Sequence, residues 1–445
     1  MKEIIGNAVE KYRELILEAE CFIWKHPETG FRETVTSGYM EEKFRELGYN
    51  DLVLAEGITG FYTVVDTGRP GPEVLVLGEL DSIICPGHPD ADPVTGAVHS
   101  CGHNAQCAAL LGVAAALKEP GVLDGMSGRI RLCAVPAEEL LEIEYRTQLK
   151  AEGKIRYFGG KTEFMHRGYF DGVDLAFMVH TSGSYSIGRG SIGCMSKKII
   201  YKGKAAHAGG SPWSGRNALY AATCGINAVN AIRETFSEPD TSRVHPIITH
   251  GGDMVNAIPA TVTLESYVRG SSFDAIKRAN EKVNRALTGA ALSIGTNIEI
   301  IDAPGYGPHR NATGMMKLAE DAAKLVIPDY PMNVNEHIGS GSTDMGDLSA
   351  VMPIVHPYCG GGRGTGHGSD YEIADPVAAC VDCAKWQVGM LWLLLSDGAE
   401  RAKTIVEEFE PSYPSIREYL DYIDSLNCEG DRIEYREDGT AVVRC

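Results

Sequence analysis

Apolar residues recur at helical spacing through "MKEIIGNAVEKYRELILEAECFIWKHPETGF" and again through "TVTSGYMEEKFRELGY". Charges are interleaved on the opposite positions, which predicts two amphipathic helices at the start of the chain. The period then changes. "GFYTVVDTG", "EVLVLGEL", "GRIRLCAVPAEE" and "VDLAFMVH" are short β-rich or continuous apolar runs ended by turn or charged residues. Between them lie the helical runs "AQCAALLGVAAALKE" and "GKTEFMHRGYF". Unbroken apolar strands alternating with helices predict an α/β fold with a mostly parallel sheet covered on both faces.

The pattern changes near Ser186. "SIGCMSKKIIYKGKAAHAG", "SRVHPIITHGGDMVNAIPATVTLESYVRGS" and "NIEIIDAPGYG" alternate as half-buried strands do. "GRNALYAATCGINAVNAIRETF" and "FDAIKRANEKVNRALTGAALSIG" are long helices. Strand-helix-strand-strand-helix-strand predicts a small α+β, ferredoxin-like domain with one open sheet. From about Tyr306 the α/β pattern resumes with "MMKLAEDAAKLVI", "MPIVHPY" and the Asp375-to-Leu395 helix. The expected organisation is therefore a discontinuous domain over 1–188 and 305–445, interrupted by an insert over 189–304. The charged tail from about Lys403 has no place in this scheme.

Composition narrows the function classes. The chain has 445 residues and a formal net charge of -19. Clustered Lys and Arg are what phosphate binding needs, so nucleic acid is excluded as a partner. The run "VGMLWLLL" is too short to span a bilayer, and no membrane association is expected. The chain starts on a charged amphipathic helix and not on a secretory signal, and its 12 cysteines form no paired framework. Both point to reduced thiols and a cytoplasmic location. "CVDC", Cys380 to Cys383, lies inside a helical apolar run and reads as buried helix thiols, not a redox pair.

In an open parallel sheet, ligands bind beyond the carboxyl ends of the strands. "VLVLGEL" runs into Asp81, "RLCAVPAEE" into Glu138 and Glu139, and "DLAFMVH" into His180. Cys101 and His103 precede a helix on the loop after the Asp81 strand. A late glycine-rich loop, "CGGGRGTGHGSDY", carries His367. Taken singly, each has a plain structural alternative: a helix start, first-turn acids, polar strand ends, a surface histidine. Taken together they would gather mutually repelling groups on one rim, which argues for a metal site. Thiolate, imidazole and carboxylate suit zinc or a neighbouring first-row metal, not magnesium or calcium. Five candidate ligands exceed one tetrahedral zinc and favour two ions. Of two adjacent glutamates, one can bind metal while the other moves the proton of a water.

The stretches "GELDS", "HSCGHN", "VPAEE", "FMVH", "YKGKAAHAGGSPWSGRNAL", "VNAIPA" and "GSTDMGDLSAVMPIVHPY" run from Trp24 to about Leu395. In this order and spacing the chain resembles the aminoacylase and carboxypeptidase G family of co-catalytic metallopeptidases. The likeness is to its amidohydrolase branch, which includes the p-aminobenzoyl-glutamate hydrolase and β-alanyl-lysine dipeptidase types. The resemblance implies a catalytic domain interrupted by a dimerisation domain, and a homodimer. It implies Cys101, His103, Glu139, His180 and His367 as ligands of two divalent ions, zinc or manganese, and Glu138 as the general acid/base. It further implies that Asp81 orients a ligand imidazole. His207 would polarise the scissile carbonyl, commonly in the partner subunit's site. Asn256 and Arg269 would contact the substrate's carbonyl and carboxylate.

Some positions depart from that pattern. Glu79-Leu80-Asp81 stands where many members have His-x-Asp, which removes one ligand. Asn104 follows His103 where most of the branch has Asp, although the dipeptidase type also has Asn. His367 sits in a looser match, with His356 of "IVHPY" as the fallback. The expected reaction is hydrolysis of a small-molecule amide, an N-acyl amino acid or dipeptide, by a metal-activated water. The alternatives are a thiol hydrolase using Cys101 and a non-catalytic binding protein on the same fold.

Overall fold

The computed structural model describes residues 1–444. Its contacts divide the chain into two compact units. The first comprises Met1–Gly190, His309–Gly339 and Thr343–Arg417; the second comprises Ser191–Pro308, Ser340–Ser342 and 418–444.

The first unit is built on a six-stranded sheet. Its order is Val53–Leu54, Phe61–Asp66, Arg129–Val135, Glu73–Glu79, Leu175–Phe177, Ile354–Val355. Glu73–Glu79 runs parallel to both Arg129–Val135 and Leu175–Phe177, and Ile354–Val355 is parallel to Leu175–Phe177. Phe61–Asp66 pairs antiparallel with Arg129–Val135. The sheet is thus mostly parallel, with an antiparallel edge that strand periodicity alone does not reveal. Every residue of Glu73–Glu79 is buried, as expected of a strand covered on both faces.

The helix His103–Ala116 is buried along its whole length. It packs against Arg13–Trp24 and Cys383–Leu395. Gly112 permits this approach, since a Cβ there would lie 2.7 Å from Ile16 Cδ1 and 2.9 Å from Ala384 Cβ. The amino-terminal amphipathic run is two helices, Lys2–Glu10 and Arg13–Trp24. Cys380 and Cys383 are fully buried, Cys380 in the π-helical Val377–Asp382 and Cys383 at the start of the following α-helix. The apolar Val377–Leu395 run is core, with 72% of it buried in the protein.

The second unit has an antiparallel sheet ordered Arg243–Val244, Thr261–Gly270, Gly193–Lys202, Asn297–Tyr306, Cys428–Asp431, with Ile247–His250 also on Thr261–Gly270. Ala218–Ala231 and Phe273–Ile294 pack on it. Strand-helix-strand-strand-helix-strand is the observed order of the principal elements, the ferredoxin-like α+β plan. Burial alternates residue by residue along Thr261–Gly270, the signature of a sheet with one covered face. The tail is part of this unit. Cys428–Asp431 adds an edge strand to Asn297–Tyr306, and Ile433 is buried among Ile298, Ile300 and their neighbours. The sequence expectation had kept 305–445 with the first unit.

Candidate metal centre

Three loops leave the carboxyl ends of the parallel strands. Glu79 ends the first strand, and Leu80 and Asp81 follow it. Pro136 to Glu139 follow Arg129–Val135, and Met178 to His180 follow Leu175–Phe177. The fourth contribution precedes a helix. Cys101 lies outside it and His103 is its first residue, with Gly102 between them at φ 87°. A Cβ on Gly102 would also come within 2.6 Å of the Tyr371 hydroxyl, so glycine is required twice over.

These loops bring the expected residues together. Cys101, His103 and His180 form one group whose donor atoms all lie within 4.8 Å of each other. Cys101, Glu139 and His367 form a second. Cys101 is common to both. Its Sγ is 3.5 Å from His180 Nε2, and His367 Nε2 is 3.0 Å from Glu139 Oε1. His367 reaches inward from the glycine-rich loop, where its φ is 63° and its N–H donates to the Ser100 carbonyl at 2.8 Å. His356, the fallback, belongs to neither group; its ring packs edge-on against His180 at 5.7 Å.

Asp81 lies behind the centre. His103 Nδ1 is 2.9 Å from the Asp81 carbonyl and 3.3 Å from its carboxylate, which turns Nε2 toward the centre. The other Asp81 oxygen accepts the Glu139 N–H at 2.8 Å. Glu79, read as a lost ligand, is also present. Its Oε2 is 3.2 Å from His103 Nε2, and Glu79, His103 and Glu138 form a third close group. The other Glu79 oxygen pairs with Lys161, which is fully buried and also pairs with Asp344. Nothing in "GKTEF" distinguishes Lys161 from an exposed helix lysine, so sequence reasoning missed it. Its role depends on two carboxylates 82 and 183 residues away.

The electrostatics are those of closely apposed charges. Burial and Glu139 would raise the Cys101 thiol, but His103 and His180 outweigh them and hold it at about 6. Burial would raise Glu139, but His367 holds it at about 2. Burial, then the charges of Glu79 and Glu139, push Glu138 well above the usual carboxylate range. One glutamate is thus a ready anion while its neighbour holds a proton readily. His103 Nε2, Glu79 Oε2 and Glu139 Oε1 are buried and meet as ion pairs, His103 with Glu79 and His367 with Glu139, without regular hydrogen-bond geometry. A divalent cation would satisfy them together, and the S, N and O donor set fits a first-row metal.

Three further residues lie in the second unit. His207 is exposed, and its Nδ1 accepts N–H groups from Gly209 and Gly210 at 3.2 and 2.9 Å. In the neutral ring this leaves Nε2–H as an outward donor. A β-bridge from His207 to Ala257 ties its loop to the one carrying the exposed Asn256. Arg269 points one guanidinium nitrogen at Ser342 Oγ, 3.4 Å away, and its buried Nε has no partner.

Fold and site define a mixed α/β chain with a peptidase dimerisation domain, which residues 189–294 match directly. The human Xaa-Arg dipeptidase is 31% identical over 274 residues, covering 60% of this chain and 58% of its own. One of the two p-aminobenzoyl-glutamate hydrolase subunits of Escherichia coli is 27% identical over 311 residues, covering 67% of this chain and 60% of its own. The chain thus spans less than two thirds of the length of these curated relatives. Among solved structures, a dinuclear metal-binding peptidase of the M20 family from Bacillus subtilis superposes with a TM-score of 0.63 at 19% identity, over 87% of this chain and 99% of its own. A Staphylococcus aureus protein described as a putative aminohydrolase gives 0.68 at 20% identity, over 89% and 100%. The resemblance carried by the motifs is borne out to this extent: the chain carries the peptidase dimerisation domain, is homologous to these hydrolases and shares the fold of these solved structures.

Proposed function

We propose that this chain is a metal-dependent amidohydrolase that cleaves the amide bond of an N-acyl amino acid or dipeptide-like substrate. The observation that carries the reading is the pair of ligand groups sharing Cys101, with Glu138, whose burial raises its affinity for a proton, beside them. Cys101, His103 and His180 would hold one ion, and Cys101, Glu139 and His367 the other; zinc and manganese are the ions of choice. Bound there, the ions would supply Lewis acidity and lower the pKa of water. Glu138 takes the water's proton as the oxygen attacks the carbonyl carbon, then returns it to the leaving nitrogen. Asp81 keeps His103 aimed. His207 donates Nε2–H to the scissile carbonyl, a contact of the kind worth about 3 kcal/mol in the transition state. Asn256 and Arg269 hold the substrate's carbonyl and carboxylate.

The homodimer belongs to the same proposal. The inserted domain exposes Tyr220 on a helix and all of Ile247–His250 at a sheet edge, with Ile247 59% exposed. An apolar face beside an unpaired edge is the surface that a second copy covers. Buried free thiols such as Cys107, Cys133 and Cys359 suit a reducing compartment such as the cytoplasm.

The thiol-hydrolase reading has Cys101 as nucleophile, and one treatment separates the two. Removing metal with a chelator should abolish hydrolysis of N-acyl amino acids and dipeptides, and added zinc or manganese should restore it. Activity that survives chelation and is lost on alkylation of Cys101 would contradict the metal reading.

A further inference from the structure

The loop that carries Glu138 and Glu139 is held in a conformation its own residues disfavour. Ala137, immediately before them, is fully buried at φ 56°, a left-handed backbone that a Cβ-bearing residue rarely adopts. Such strain persists only where the surroundings impose it. The contacts that impose it come from outside the loop. Glu33 is fully buried; its Oε1 accepts the Ala137 N–H at 2.8 Å while Oε2 accepts the Thr59 hydroxyl at 2.6 Å. Arg146, only 1% exposed, spans the far side. Its guanidinium donates to the carbonyls of Glu139, of Phe158 at 2.5 Å and, more distantly, of Ala137 at 3.5 Å.

The segment from Glu28 to Glu33 is the second half of the same device. Gly30 lies so close that a Cβ there would sit 2.9 Å from Ala137 Cα and 2.4 Å from an Arg146 nitrogen. Phe31, at φ 62°, places its ring 5.5 Å from the Arg146 guanidinium. Thr29 donates to Glu142 at 2.6 Å, and the Glu28 carbonyl accepts the Ser82 N–H at 2.8 Å, next to Asp81. One turn therefore grips both strand-end loops that feed the centre.

We propose that Glu33 and Arg146 are positioning residues: they hold Ala137 in its left-handed turn and so aim Glu138 and Glu139. The proposal rests on the reading of Glu139 as a ligand and Glu138 as the proton carrier. Neither Glu33 nor Arg146 belongs to a candidate ligand group. Their effect passes through the backbone of Ala137. A glycine at 137 adopts the same turn unaided, which gives a test that a merely structural role would not satisfy.

The test is a cycle among Glu33→Leu, Arg146→Met and Ala137→Gly, with Glu33→Gln as the conservative variant. Two quantities are read: affinity for zinc by calorimetric titration of the metal-free protein, and kcat and KM of the metal-loaded enzyme. Glu33→Leu and Arg146→Met should each weaken the second zinc and lower kcat tenfold or more, with KM within about twofold. Each loss should shrink to threefold or less in the Ala137→Gly background. Glu33→Gln keeps an acceptor for the Ala137 N–H and should stay within threefold of the parent. Equal losses in both backgrounds, or unchanged metal affinity and kcat, would overturn the proposal. The zinc titration decides even where no amide is turned over, so failure of the clamp is separable from failure of the functional reading. Should Glu33→Leu not fold, Arg146→Met and its double variant carry the same comparison.

Discussion

Asn104 shows how one residue departs from a family pattern for a local reason. Its side-chain N–H donates to Glu20 Oε1 at 2.8 Å, and both side chains are buried. An aspartate at 104 would set a second carboxylate against the first in the same dry space. Burial is the main cause that pushes Glu20 up to about 7, against which Asn104 pulls down. A carboxyl raised on folding stabilises fully below its ordinary value of 4.5 and loses that contribution as pH rises to about 7. Relative to the parent, Glu20→Gln should therefore gain stability across that interval. The gain is up to about 3 kcal/mol at 1.4 kcal/mol per pKa unit. Urea denaturation of both proteins at pH 4.5 and pH 7 checks this, and an equal difference at the two pH values would contradict it. None of this was legible beforehand, because Glu20 and Asn104 are 84 residues apart and neither belongs to a motif pair. Cys101, His103, Glu139 and His180 were legible as companions because strand ends converge whatever the side chains are. Glu79 stands where the pattern has an imidazole, and its carboxylate meets His103 from the same strand end with the buried Lys161 balancing it.

At the scale of elements, periodicity carried far but not to strand direction or backbone-only pairing. The inserted domain was readable because Thr261–Gly270 alternates cleanly and its two helices have long amphipathic faces. Phe61–Asp66 alternates as well, yet its antiparallel pairing depends on a connection that leaves no periodic mark. Cys428–Asp431, "CEGD", has no apolar alternation and joins the sheet through its backbone, so the tail looked unattached. Its anchor is Ile433, 3% exposed in the insert's core. Truncation of such a side chain costs about 2–4 kcal/mol. Ile433→Ala should lower the denaturation free energy of the second unit by that amount. A change within about 0.5 kcal/mol would mean that the tail is a dispensable appendage. The centre itself depends on elements at several distances along the chain: the Glu28-to-Glu33 turn, the Lys161 helix and the Asp344 loop brace the strand ends from behind. Those braces are polar residues in loops and short helices, where sequence patterning is silent.

For the whole molecule, the residues proposed to act divide between the two units. The mostly parallel sheet gathers thiolate, imidazoles and carboxylates at one rim, and the antiparallel insert presents His207, Asn256 and Arg269 on separate loops and strands. The net charge of -19 identifies no substrate. The central claim is narrower: a buried glutamate with a raised pKa, next to two ligand groups that share one thiolate, moves the proton of a hydrolytic water. The most direct measurement is turnover of an N-acyl amino acid or dipeptide by the metal-loaded Glu138→Ala enzyme, with its metal content determined on the same sample. The account predicts that metal content matches the parent while kcat falls by a factor of at least about a hundred, the range lost with a general acid–base group. Parent-like kcat with both metals in place would contradict it.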